Sequence, residues 1–173
     1  MRILLLGALA ATLSGCGSAP QQEQEAPRAT ASLESTQGSK AFGEATFEQV
    51  GDKVRVIVFA QGLKPDGEHG FHIHEAGDCS SGDGMSAKGH FNPLGKPHGQ
   101  PGPQSHAGDL PMLKAAKDGR AKLQADIEGI TVAPGPTSIV GRGLIIHADP
   151  DDFKTQPTGN AGARLACGVI RPG

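Results

Sequence analysis

The chain has no tryptophan, no tyrosine and only six phenylalanines. It therefore lacks the aromatic platforms on which single-stranded nucleic acids stack. It also lacks a basic surplus. Sixteen Lys and Arg face eighteen Asp and Glu, for a formal charge of −2, so nothing marks it as a partner for a phosphate backbone. No apolar run approaches the ~18 residues of a membrane-crossing helix. Helical periodicity of useful length is missing as well, which excludes a coiled coil. Glycine (26) and proline (13) are plentiful for 173 residues. That is the signature of turn-rich β structure in a chain long enough for one domain.

The N-terminus reads as an address. Arg2 precedes an apolar stretch over 3–13, which closes on Leu13-Ser14-Gly15-Cys16. Residues 1–15 are predicted to be a secretory signal peptide. The closing run resembles the lipobox of bacterial lipoproteins, which implies cleavage before Cys16 and lipidation of that residue. Residues 16–38 follow as a lipidated N-terminus and tether, rich in Pro, Gln, Glu, Ser and Ala and too polar to offset its ordering entropy. A first strand is expected near 29–35, and the folded domain over 39–173.

Cysteine is scarce, at three. With Cys16 set aside, Cys79 and Cys167 remain. In an oxidising compartment such a pair is expected to be a disulfide, and closing so long a loop stabilises by roughly 4–5 kcal/mol.

Residues 53–61 place Val54, Val56, Val58 and Ala60 on one strand face. Residues 42–50 precede them across a Gly51-Asp52 turn. Asp118-Gly119 signals a second hairpin, joining about 111–117 to 120–127. Residues 69–75, 143–148 and 165–170 supply further strands. The expected fold is all-β: an eight-stranded antiparallel Greek-key sandwich or barrel, immunoglobulin-like, with two long functional loops at 76–110 and 148–163. A 35-residue loop needs a functional or covalent reason.

The histidines supply one. His72 and His74 are two apart on a strand and share a face, with the apolar Ile73 opposite. His90, His98, His106 and Asp109 follow within the long loop as His-x7-His-x7-His-x2-Asp. Three imidazoles and a carboxylate form a closed tetrahedral set suited to zinc. His147 ends an apolar strand. His69, beside the ligand strand, is expected to hydrogen-bond backbone.

The segments Gly70-Phe71-His72-Ile73-His74-Glu75, Gly89-His90-Phe91-Asn92-Pro93, His106-Ala107-Gly108-Asp109-Leu110 and 159–170 (GNAGARLACGVI) occur in that order. Together they closely resemble copper/zinc superoxide dismutase over about residues 40–171. The resemblance implies copper on His72, His74, His90 and His147, and zinc on His90, His98, His106 and Asp109. His90 would serve both ions. It further implies that Arg164 receives the anionic substrate, that Asp151 links a copper ligand to a zinc ligand, and that Cys79 pairs with Cys167. The implied activity is dismutation of superoxide to O2 and H2O2, with His90 and Arg164 as catalytic groups.

One segment departs from the resemblance. Residues 149–158 are short and differ in charge from the guidance loop of eukaryotic members. Lys154 is the remaining steering cation there, opposed by Asp149, Asp151 and Asp152. The alternative reading is a non-enzymatic periplasmic copper- and zinc-binding lipoprotein, which needs neither Arg164 nor a shared His90. Partners are expected to be superoxide and a membrane reached through the lipid, with no nucleic acid, in a homodimer or a monomer. Gly17 and Ser18 lack the aspartate that retains lipoproteins at the inner membrane, so the expected location is the periplasmic face of the outer membrane.

Overall fold

Strict alternation in residues 53–61 sets the pattern of the computed structural model, which describes residues 25–173. The expected signal peptide, Cys16 and the expected tether up to residue 24 lie outside the described residues. In β3 (Lys53–Gln61) the side chains of Val54, Val56, Val58 and Ala60 are buried, while their neighbours face outward. This alternation belongs to a sheet with one dry face. The chain continues the same logic through β1 (Arg28–Ser35), β2 (Phe42–Val50), β4 (Glu68–His69), β5 (Phe71–His74), β6 (Leu113–Lys114), β7 (Ala121–Ile127), β8 (Gly143–His147), β9 (Arg164–Val169) and β10 (Arg171–Pro172). Among the described residues, one 3-10 turn at Met85–Ala87 is the only helical element.

Eight strands form one antiparallel curled sheet in the order β5-β8-β9-β1-β2-β3-β7, with β10 added along β1. Its inner face buries Leu33, Phe47, Phe71, Ile73, Leu144 and Ile146 almost completely. Every residue of β8 is buried, on both faces and for different reasons. Leu144 and Ile146 enter the main core, whereas Ile145 packs with Ala87 and Cys167 beneath the long loop. The Cys79–Cys167 disulfide, with Cα atoms 5.8 Å apart, fastens that loop to β9.

The strand expected near 29–35 is present, and the structure differs from the sequence expectation at two other strands. β1 begins at Arg28, and residues 28–33 pair with β2 while Glu34 and Ser35 pair with β9. Residues 29–35 are thus a sheet strand lying before the expected domain start at 39. The expected strand 69–75 breaks at Gly70, whose N–H donates to the Asp149 carbonyl at 2.8 Å and whose carbonyl accepts from His147 N–H at 2.8 Å. A methyl group at Gly70 would meet Ala161 Cβ at 2.7 Å. Residues 111–117 do turn at Asp118-Gly119, but β6 pairs with β4 rather than β7. The N–H of Ala115 is already committed to the Gly67 carbonyl at 2.8 Å, so the hairpin stops after its turn.

Candidate metal centre

The long loop reaches the ligand strand by running along its free edge. Phe91 N–H donates to Ile73 O (2.8 Å), Ile73 N–H to Gly108 O (2.9 Å), Gly108 N–H to Phe91 O (2.9 Å) and Glu75 N–H to Gly89 O (2.9 Å). These bonds set His90 opposite His74 and Asp109 opposite His72. The approach needs a glycine at 108, where a Cβ would lie 3.0 Å from Phe91 N and closer still to the Ile73 carbonyl. β8 pairs with β5 on the other side and delivers His147 at its end.

Seven side chains therefore converge as two buried clusters. One holds His72, His74, His90 and His147; the other holds His90, His98, His106 and Asp109. Within each, the ligand atoms lie within 4.8 Å of one another. Outer partners fix which ring nitrogen is free. His74 Nδ1–H donates to Lys88 O at 2.8 Å, leaving Nε2 open. His147 directs Nδ1 to Gly162 O at 3.3 Å, and its Nε2 lies 3.4 Å from His74 Nε2. His72 Nε2–H donates to Asp151 Oδ2 at 2.7 Å, and His98 Nε2–H donates to Asp151 Oδ1 at 2.9 Å. Asp151 thus ties a residue of the first cluster to one of the second.

The residues fit two metal ions. His72 Nδ1 and His90 Nε2 are buried without any hydrogen-bond partner, an expensive state for a polar atom unless a lone pair is meant for a cation. In the other cluster, Nδ1 of His90, His98 and His106 approaches Asp109 Oδ1 at 2.8, 3.0 and 3.5 Å. Ligands about 2.0–2.1 Å from a tetrahedral ion stand roughly 3.3 Å apart, so these separations are close to a zinc polyhedron. The four-imidazole set suits copper.

Electrostatics keep the donors in their binding form. Burial pushes His72 and His74 well below the ordinary imidazole range, helped by repulsion from His90 and His147. Burial likewise lowers His147 to about 4 and depresses His106. Burial raises Asp109, but hydrogen bonds from His90 and the Gly99 N–H outweigh it and the net shift is downward. The folded metal-free chain therefore holds neutral imidazoles that the unfolded chain protonates near pH 6.5. Between about 6.5 and 4 the unfolded state binds more protons, so stability present above pH 6.5 is lost as pH falls. The urea midpoint of the metal-free protein is expected to be lower at pH 5 than at pH 7.5. Equal midpoints would contradict neutral burial of these rings.

Arg164 forms no ion pair with Asp151 or Asp152. Its Nη1 donates to Gly84 O and its Nη2 to Lys88 O, both at 2.5 Å. The Lys88 carbonyl thus holds Arg164 and His74 together, from a backbone at φ 63°. The half-buried guanidinium is near enough to help depress His74 and His147. His69 donates Nδ1–H to the His147 carbonyl at 2.8 Å and joins neither cluster. Lys154 is exposed, and its backbone N–H is held by Asp152. The service of the Lys88 carbonyl has no sequence signal, because any residue has a carbonyl.

A curled antiparallel sheet carrying a four-histidine cluster beside a three-histidine, one-aspartate cluster defines a β protein with two adjacent candidate metal sites. The family model described as copper/zinc superoxide dismutase matches residues 41–170. A copper–zinc superoxide dismutase of Aquifex aeolicus is 42% identical, covering 83% of this chain and 86% of that protein. Another, from Deinococcus radiodurans, is 38% identical over 99% of this chain and 96% of that one. The crystal structure of the clock protein EA4 superposes with a TM-score of 0.76 at 38% identity, covering 87% of this chain and 98% of that chain. The chain belongs to the copper/zinc superoxide dismutase family. It is an enzyme of that family, with copper and zinc as its metals.

Proposed function

We propose that this chain dismutes superoxide through two metal ions that share His90, and that it does so outside the cytoplasm. The carrying observation is that His90 belongs to both clusters, with Nδ1 2.8 Å from Asp109 Oδ1 and Nε2 buried and unpartnered on the side of the four-histidine set. On this reading copper is held by His72, His74, His90 and His147, and zinc by His90, His98, His106 and Asp109. Bound copper supplies one-electron exchange, so that two superoxide ions and two protons become one O2 and one H2O2. His90 holds a proton at Nε2 when that nitrogen is free of metal and passes it to the reduced product. Asp151 fixes the tautomers of His72 and His98. Arg164 attracts the anion and orients it.

Electron paramagnetic resonance tests the shared ligand. With cobalt(II) in the zinc position and copper(II) in the other, magnetic coupling through His90 should quench the copper signal. An undiminished copper signal with both ions bound would contradict a bridge.

Arg164→Ala should lower kcat/KM about tenfold or more and flatten its dependence on ionic strength, because a local positive field is the main attractor in a chain of net negative charge. Stopped-flow decay of superoxide at two salt concentrations reads this. Unchanged kcat/KM would remove Arg164 from substrate capture.

The N-terminal pattern supports export with a signal peptide at 1–15, lipidation at Cys16 and a tether, for a periplasmic enzyme anchored at the outer membrane. A Cys16→Ser chain should then fractionate with soluble periplasmic protein, whereas continued membrane association would contradict the anchor.

A further inference from the structure

We propose that Gln156 is a positioning residue for the zinc half of the site, acting on the backbone of His98; the inference rests on the zinc reading of the cluster His90, His98, His106 and Asp109. The Gln156 side chain is an amide, and it is used as a strand residue would use its backbone. Its Oε1 accepts from the His98 N–H at 2.8 Å, and its Nε2 donates to the His98 carbonyl at 2.9 Å. No other side chain among the described residues hydrogen-bonds the main chain of His98 in both directions.

The clamp matters because of where His98 sits. It lies in the middle of the long loop, in none of the strands or bridges that align His72, His74, His90 and Asp109 with β5. Its ring is held at both nitrogens, by Asp109 and by Asp151. A ring so held is aimed correctly only if its own backbone is fixed, and within the described residues Gln156 supplies that fixing. Asp151 and Gln156 come from the same second loop, so that loop grips His98 once through the ring and once through the main chain.

The second loop is built to present Gln156. Asp152 accepts from the N–H groups of Lys154 (2.9 Å) and Thr155 (2.8 Å), from the Thr155 hydroxyl (2.6 Å) and from Asn160 Nδ2 (3.3 Å). Asp152 N–H donates to Gly159 O at 2.9 Å, and Gly159 N–H donates to Thr155 O at 2.7 Å. The turn is thus closed on itself on both sides of Gln156. Gln156 Nε2 also reaches Lys154 O at 3.2 Å, which orients the amide.

Partners that orient metal ligands typically carry about 10- to 100-fold in metal affinity. Gln156→Ala in the full chain should therefore lose zinc about tenfold more readily to a chromophoric chelator. The visible d–d bands of the cobalt(II)-substituted protein should shift or weaken, which a merely structural contribution to the loop would not produce. Gln156→Glu keeps the acceptor for His98 N–H but loses the donor to its carbonyl, and should fall between Ala and the parent chain. Lys154→Ala, a neighbour whose side chain makes no hydrogen bond to His98, should leave both readouts unchanged. Zinc retention within twofold of the parent, with an identical cobalt spectrum in Gln156→Ala, would overturn the proposal. So would an equal loss in Lys154→Ala, which would assign the effect to the loop as a whole. A parent chain that takes up no cobalt in a tetrahedral site would overturn the zinc reading itself, and the clamp with it.

Discussion

Replacing His90 with alanine is expected to remove both metal ions from tight binding and to reduce superoxide decay to the metal-free background. The reason is the shared ring. His90 belongs to both candidate clusters, with Nδ1 2.8 Å from Asp109 Oδ1 and Nε2 buried and unpartnered, so on the proposed reading one deletion would cost each ion a ligand. Loss of a ligand should weaken each affinity by more than the ~10–100-fold that an outer partner carries. The fold should survive, because His90 lies outside the hydrophobic clusters that hold the sheet. His106→Ala is the contrast. His106 belongs only to the three-histidine, one-aspartate set, so that variant should lose zinc and retain copper. Metal content by mass spectrometry after dialysis against a chelator, with circular dichroism as the control for folding, reads both. A His90→Ala chain that keeps zinc at the parent affinity would contradict the assignment of that ring.

Gly159→Ala is expected to have the second largest effect, although residue 159 binds nothing itself. A Cβ there would lie 2.5 Å from His98 Nε2 and 2.7 Å from Asp151 Cγ, and closer still to Asp151 Oδ1. It would enter the space in which Asp151 and His98 meet, so the carboxylate must leave one of its two histidines. Zinc affinity should fall about 10- to 100-fold. The backbone at Gly159 also has φ +65°, which adds roughly 1–2 kcal/mol of conformational cost for any other residue. Gly51→Ala separates the two contributions. Gly51 has φ +61° and nothing within 4 Å of the added methyl, so it should show the backbone cost alone. The denaturant midpoint should then drop in both variants and further in Gly159→Ala, with zinc affinity falling only in Gly159→Ala. Matching zinc affinities in the two variants would remove the Asp151–His98 junction from metal binding.

What was legible in the sequence divides by range. The face of β3 and the shared side of His72 and His74 follow from a period of two, which the backbone imposes on any strand. The ligand pattern after residue 90 was legible because its residue types have a common chemistry. The structure brings all of the implied ligands into the two expected clusters, and it forms the Cys79–Cys167 bond.

Strand pairing was less legible. Asp118-Gly119 correctly marks a turn, but a turn signal does not say where the strands on either side find their partners. β6 leaves for β4 because backbone groups near Ala115 are satisfied by Gly67. Gly70 splits the expected strand 69–75 because the second loop and β8 bond to both of its backbone groups. Gln156 was invisible for the same reason. It sits in a stretch of Thr, Pro and Gly that reads as solvated loop, and its partner is 58 residues away. Contacts made by backbone carbonyls and amides across such distances leave no residue-type signal.

Dismutation is tested most directly by superoxide decay in a stopped-flow instrument, with the purified chain metal-free, loaded with copper alone, and loaded with copper and zinc. Decay should require copper, rise in proportion to the doubly loaded protein, and be lost in His147→Ala. Decay no faster than the metal-free control, with both ions shown to be bound, would contradict dismutation.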